Sequence, residues 1–175
     1  MPLMIHALKR PLLALLIIVT SAYGATALAQ CLPSTPGRFK LEGALAYDTQ
    51  TNLTWMRCSV GVIWSETQGC SGSSPKLMNT EDAQLAATRA GQGWRVPELE
   101  ELHSLIEPEC TDPALDSLVF PGVGDLGDGI PYWSTSQAEM PILMNYYVDF
   151  SNGSVDAHTL GFPLAVRLVR DGKPK

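Results

Sequence analysis

The stretch Gly93-Trp94-Arg95-Val96-Pro97-Glu98-Leu99-Glu100-Glu101-Leu102-His103-Ser104-Leu105-Ile106 changes character half-way. Its first five residues suit a turn packed by one aromatic ring. Pro97 then fits a first helical turn, where the missing N–H has no partner to lose. Leu99, Leu102, Leu105 and Ile106 recur at helical spacing with Glu98, Glu100 and Glu101 turned outward, which predicts a helix from Pro97 that stops before Pro108. Another helix is predicted upstream. Asn79 or Thr80 can cap it, Glu81 and Asp82 sit at its positive end, Ala83, Leu85, Ala86 and Ala87 continue it, and Gly91 and Gly93 end it.

Outside these two helices the pattern is that of short strands. Phe39 to Leu41 and Ala44 to Tyr47 read as extended, and Asp48 to Asn52 as a polar turn. Leu53 to Cys58 alternates apolar Leu53 and Trp55 with Thr54, as in a half-buried strand. Gly69 to Pro75 is rich in Gly, Ser and Pro and reads as a loop. Tyr132 to Thr135 and Asn145 to Phe150 follow as strands. Ser151-Asn152-Gly153-Ser154 then carries the Asn-Gly pair of a hairpin turn. Ala165 to Val169 closes the chain, with Val166 and Leu168 alternating against Arg167 and Val169. Two helices set among short antiparallel strands predict an α+β fold.

Residues 1–29 are expected to stand apart as a signal peptide. Lys9 and Arg10 precede the apolar run Pro11 to Val19, and Ala27-Leu28-Ala29 supplies a cleavage site. The run is much shorter than the roughly 20 apolar residues that span a bilayer, so no transmembrane anchor is expected after cleavage. Gln30 before Cys31 does not suit lipid attachment, and residues 30–175 are expected to form one exported domain, in the periplasm or outside the cell. Formal net charge is −6, and it becomes −8 once the two leader cations are gone. No basic cluster remains to neutralise phosphates, which excludes nucleic acid as a partner.

Cys31, Cys58, Cys70 and Cys110 form an even set in an oxidising compartment, and two bridges are expected. Four cysteines allow three pairings. Cys58 and Cys70, separated by a loop, are expected to pair locally, with Cys31 tied to Cys110. The alternative links Cys58 to Cys110 and Cys31 to Cys70. No close C-x-x-C spacing points to structural zinc.

Several of these pieces, taken in order, carry a resemblance. Leu53-Thr54-Trp55-Met56-Arg57-Cys58 with Gly61 and Trp64, then Gly93-Trp94-Arg95-Val96-Pro97 leading into Glu100-Glu101-Leu102, are followed by Phe120-Pro121. Tyr132-Trp133-Ser134-Thr135-Ser136, Val148-Asp149-Phe150 with Asn152-Gly153, and Val166-Arg167-Leu168-Val169-Arg170 complete the series. Together they resemble the Lcl C-terminal domain family of exported bacterial domains, over roughly Phe39 to Asp171. The resemblance implies a C-type-lectin-like fold, and the Trp94 to Pro97 turn is also similar to one in formylglycine-generating enzymes. The chain departs from the family pattern where the Asp/Gly-rich segment before the first tryptophan strand shrinks to Leu41-Glu42-Gly43-Ala44. Val96 and Glu98 also replace commoner residues.

Function must be sought in side chains, because one fold hosts many activities. Trp55 and Trp94 are expected in the core, whereas Trp64 and Trp133, beside loops, are candidates to stack on a sugar ring. Asp125 and Asp128 in Gly124 to Gly129 are candidate ligand-binding carboxylates, but they lack the spacing of a calcium loop, so neither a metal nor another cofactor is expected. Arg95 is expected to be structural. His103 and His158 lie in no nucleophile motif, and cysteines sealed in disulfides cannot do formylglycine chemistry. The expectation is a non-catalytic binding or adhesion module with a glycan or protein ligand. An extracytoplasmic enzyme and a structural envelope subunit are the alternatives.

Overall fold

The computed structural model describes residues 35–174 apart from Ser73, Asp125 and Asp128. Its fold is α+β with mostly antiparallel pairing. Strands β1 (Phe39–Glu42), β2 (Leu45–Asp48) and β3 (Leu53–Met56) form a meander, followed by the small hairpin β4 (Ile63–Ser65) and β5 (Gly69–Ser71). Helices α1 (Thr80–Ala90) and α2 (Leu99–His103) come next. After them come β6 (Pro131–Gln137), β7 (Met144–Asp149), β8 (Ser154–Thr159) and β9 (Val169–Asp171). One sheet has the order β1-β2-β3-β9, which brings the last strand beside the third, and β6-β7-β8 form a second meander.

Local sequence explains most boundaries. Gly43, with φ of 50°, allows the tight β1–β2 connection across which Glu42 faces Leu45. Asn79 caps α1, its side-chain oxygen accepting the Asp82 N–H at 2.8 Å, and Gly91 ends it with φ of 62°. The Asn152-Gly153 turn joins β7 to β8, with Gly153 N–H donating to the Asp149 carbonyl at 2.8 Å.

Three expectations are corrected. The helix after Trp94 is shorter than the leucine spacing predicts, because the Pro97 carbonyl accepts the Thr135 N–H at 2.8 Å and is drawn toward β6. At its far end Leu105 and Ile106 bond back three residues, to Leu102 and His103, so the apolar stripe continues on a tighter turn. Gly69 to Ser71, read as loop, pair with β4 instead. Finally, β3 is not half-buried, and the segment leading into β9 is likewise enclosed. Thr54 is enclosed because its hydroxyl donates to the Gly172 carbonyl, while residues 165–169 are covered on both faces.

That double coverage reflects two apolar clusters. Trp55, Leu102, Leu105, Leu115, Phe120, Tyr132, Val148, Phe150 and Val169 pack in one. Ala83, Ala87, Trp94, Val96, Trp133, Leu164, Val166 and Leu168 pack in the other. Chain alternation feeds both: Tyr132 and Val148 point one way from the second sheet, Trp133 and the half-buried Tyr147 the other. The segment from Leu164 to Val169 runs between the clusters, bridging Met78 at Leu164 and Tyr132 at Ala165.

Cys58 and Cys70 are joined, with Cα atoms 5.3 Å apart, fastening the β4–β5 hairpin to the end of β3. Cys110 is disulfide-bonded as well, and Cys31, its expected partner, lies outside the described residues. Replacing Cys58 and Cys70 together by serine is expected to cost roughly 3 kcal/mol, the chain-entropy value for a loop of this length. Urea denaturation checks it, and an unchanged midpoint would refute it.

Asp48 is buried, and its carboxylate accepts the Arg38 Nε–H at 3.0 Å and the Gln50 N–H at 2.9 Å. Burial alone would raise its pKa, but the bonds from Arg38 and Gln50 and the arginine's charge prevail and hold it below the usual carboxylate range. A carboxylate depressed in the folded state stabilises above its unfolded pKa, and that contribution is lost as pH falls through the folded value. Asp48→Asn is therefore expected to lower the melting temperature at neutral pH and to flatten its decline below about pH 4. Melting curves across pH 2–7 test this; an acid limb as steep as that of the parent would refute the assignment.

Candidate functional site

Residues directly opposite one another in an antiparallel pair share a face of the sheet. Pro131 faces Asp149, Tyr147 faces Asp156, and Asn145 faces His158, so one side of β6-β7-β8 presents Pro131, Tyr147, Asp149, Asp156 and His158. Phe162, Pro163 and Leu164, from the turn after β8, rise at one border of that face. Leu77 stands beside them because the neighbouring Met78 pairs with Leu164. Leu126 enters from the loop before β6, where its N–H donates to the Gly129 carbonyl at 2.8 Å. Together these walls enclose a cleft of about 410 Å³. That volume lies within the range of small-ligand sites.

Aromatic rings and one carboxylate give the cleft its chemistry. His158 stacks on Phe162 with ring centroids 3.8 Å apart, while 41% of Phe162 stays exposed. Tyr147 meets Trp133 edge to face at 6.4 Å. Asp149 Oδ1 accepts the Ile130 N–H at 2.9 Å, the Ser151 N–H at 2.8 Å and the Ser151 hydroxyl at 2.7 Å. The carboxylate is thereby fixed in place. Gly129 packs so closely that a Cβ there would lie 2.5 Å from Asp149 Oδ2, and its φ of 91° is one that other residues rarely adopt. The Tyr147 phenol is pushed above its ordinary pKa by partial burial and by the negative charges of Asp156 and Asp149.

The expected site residues do not gather here. Trp133 is fully buried, which corrects its reading as a sugar-stacking ring. Its N–H donates to the Met78 carbonyl at 3.0 Å, and although it shares the sheet face of Tyr147 it packs with Ala83, Ala87, Leu164 and Val166, so the ring is covered by neighbouring segments. Trp64 is half-buried on β4, with the Arg57 guanidinium 4.1 Å over its ring and its N–H on Glu66 at 2.9 Å. It lines a different groove of about 360 Å³ with Met56, Val60 and Ala86, and one ring face is already occupied. Asp125 and Asp128 lie outside the described residues. Among the described residues, no group of three or more His, Cys, Asp or Glu side chains is placed to hold a metal ion.

His158 lines the cleft, whereas His103 is exposed on α2 and does not. Arg95 grips Glu101 through both carboxylate oxygens, at 2.6 and 2.7 Å, and also reaches Asp171 at 2.8 Å. The site residues missed in the sequence are Tyr147, Asp149 and Phe162. Only strand alternation in β7 could have paired Tyr147 with Asp149; nothing local places Phe162 beside them.

The Lcl C-terminal domain model matches residues 44–170, which run from β2 through β8 and include both helices and every described wall of the cleft. The chain belongs to the Lcl C-terminal domain family. No curated protein matches it. Membership accounts for the order of the tryptophan strand, the Trp94-Arg95-Val96-Pro97 turn and the Asn152-Gly153 hairpin as parts of one domain. Among the described residues, no helix is long and apolar enough to cross a membrane.

Proposed function

We propose that this Lcl C-terminal domain is an exported, non-catalytic binding or adhesion module of C-type-lectin-like fold, whose ligand seats in the cleft beside β7 and β8. The observation that carries this reading is the lining itself, in which aromatic Tyr147, His158 and Phe162 share the cleft with one anchored carboxylate among the described residues, Asp149. Aromatic faces with few oriented polar groups suit the binding of a ring or side chain held intact. The leader over residues 1–29 and the disulfides support placement outside the reducing cytosol.

An enzyme reading retains one observation, that His158 and Asp149 share the cleft. No serine, threonine or cysteine is among its described lining residues, and three donors already engage Asp149 Oδ1, which suits a fixed anchor better than a proton carrier. The mature domain probed on glycan and protein arrays is expected to give hits that Phe162→Ala weakens by about tenfold, the scale of one lost aromatic contact. Hits indifferent to Phe162 would displace the ligand from this cleft. Turnover of a bound compound would replace the binding module with an enzyme.

A further inference from the structure

We infer that the cleft recognises an organic cation: an alkylammonium group, seated between the Phe162 and Tyr147 rings and the Asp149 carboxylate. The inference rests on the proposal that this cleft is the ligand site and adds the charge of what enters it. Three features converge.

The walls are first of all apolar, since Leu77, Leu126, Pro131, Pro163 and Leu164 offer no hydrogen bonds from their side chains. They suit an alkyl stem. The polar end of such a ligand meets rings instead. His158 stacks on one face of Phe162, and 41% of Phe162 stays exposed, which leaves the opposite ring face as the one a ligand can approach. An aromatic face is negative and attracts an ammonium or guanidinium group within about 6 Å of the ring centre.

Charge supplies the third feature. Asp149 lines the cleft, and Asp156 lies across from Tyr147 on the same sheet face. No lysine or arginine is among the described lining residues. The ion pairs of Arg38 with Asp48, and of Arg95 with Glu101 and Asp171, involve none of the lining residues. The Tyr147 phenol, raised first by its partial burial, is held up further by the charges of Asp156 and Asp149. A sulfated or carboxylated sugar would enter against this field, and a neutral sugar would gain nothing from it. A cation on an apolar stem satisfies all three features, and Asp149, already held by Ile130 and Ser151, need not reorganise to receive it.

Nuclear magnetic resonance titration of the mature protein tests the assignment with four probes: n-butylammonium, N-acetyl-lysine methylamide, its uncharged isostere N-acetyl-norleucine methylamide, and a sulfated disaccharide. Both cations are expected to shift the Tyr147, His158 and Phe162 ring resonances, and the capped lysine to bind about tenfold more tightly than the norleucine compound. Comparable binding of the two cations identifies a free amine as sufficient; a clear preference for the capped lysine identifies a peptide side chain. Binding should weaken with added salt. Asp149→Asn, which keeps the side chain's shape, should abolish the preference for charge. Because Asp149 also anchors the turn after β7, Asp156→Asn serves as a second variant at an exposed position and should reduce cation affinity two- to threefold, roughly the worth of a partly screened charge. Equal affinity for the lysine and norleucine compounds would overturn the cation assignment and leave the cleft as an apolar binding site. Tighter binding of the sulfated disaccharide would overturn it in favour of an anion. No ring shift with any probe would also overturn it, whereas array hits that still depend on Phe162 would leave the proposed binding function standing.

Discussion

Trp55→Ala is expected to destabilise the protein by about 3–5 kcal/mol, the range for truncating a large core aromatic. Trp55 is wholly buried in the middle of β3, opposite Ala46 on β2 and Val169 on β9. Its ring belongs to the cluster that includes Leu102 of α2, Leu115 and Phe120 of the loop region, and Val148 of the second sheet. Removing it would open a cavity where segments distant in sequence meet, so collapse around the gap would have to move several elements together. Among the described residues Trp55 Nε1 also has no hydrogen-bond partner, an unusual cost for a buried N–H. Trp55→Phe removes that unsatisfied donor and keeps most of the ring, and a loss of only about 1 kcal/mol is expected. Urea titration of both variants measures the difference. A Trp55→Ala loss below about 1 kcal/mol would show that the ring is not holding the cluster together.

Arg167→Ala is expected to cost a comparable amount, about 2–5 kcal/mol, for a different reason, since each buried carbonyl left without a donor costs about 1–3 kcal/mol. Its side chain is fully buried and is held by backbone carbonyls and rings. One terminal nitrogen donates to the Met56 carbonyl at 2.8 Å and to the Arg57 carbonyl at 2.5 Å. The guanidinium lies 4.7 Å from the Phe120 ring centre and 5.7 Å from that of Tyr132. Burial lowers its pKa, though the phenol of Tyr132 partly offsets this. Truncation would leave the carbonyls at the end of β3 without these donors and empty the space between two rings. Arg167→Lys preserves a charge but not the planar fork, and is expected to restore less than half of the loss. Recovery by lysine to parent stability would show that charge alone matters. A negligible cost for alanine would show that the carbonyls find other partners.

These two residues also show how far local sequence reaches. Trp55 in an alternating run reads as core, and it is core. Arg167 simply alternates with Val166 and Leu168 in the sequence, and nothing local reveals that Phe120 and Tyr132 close over it. Glu98 marks the same boundary on a helix: it sits at the N-cap, where its N–H donates to Glu101 Oε2 at 2.8 Å, although Pro97 suggests an earlier start. The start shifts because β6 draws on the Pro97 carbonyl, and β6 lies more than thirty residues further along the chain.

The candidate site was less legible than the fold. Trp64 and Trp133 drew attention as aromatic rings near loops, but exposure depends on what packs above a residue. Arg57 covers one ring, and the sheet and the Leu164 segment enclose the other. Tyr147, Asp149, His158 and Phe162 gave no motif, since they come from two strands and a turn that meet only through the β7–β8 register.

By itself the sequence determined the α+β class, the α1 cap and stop, the hairpin at Asn152-Gly153 and the family. Each depends on interactions within a few residues, or on an ordered set of such pieces. Tertiary structure decided which faces were covered twice, where α2 begins, that Trp133 is enclosed, and that Asp149 shares a cleft with Phe162. Those outcomes depend on contacts between segments far apart in the chain, and a side chain's exposure is set by the neighbours that folding brings to it rather than by its own polarity.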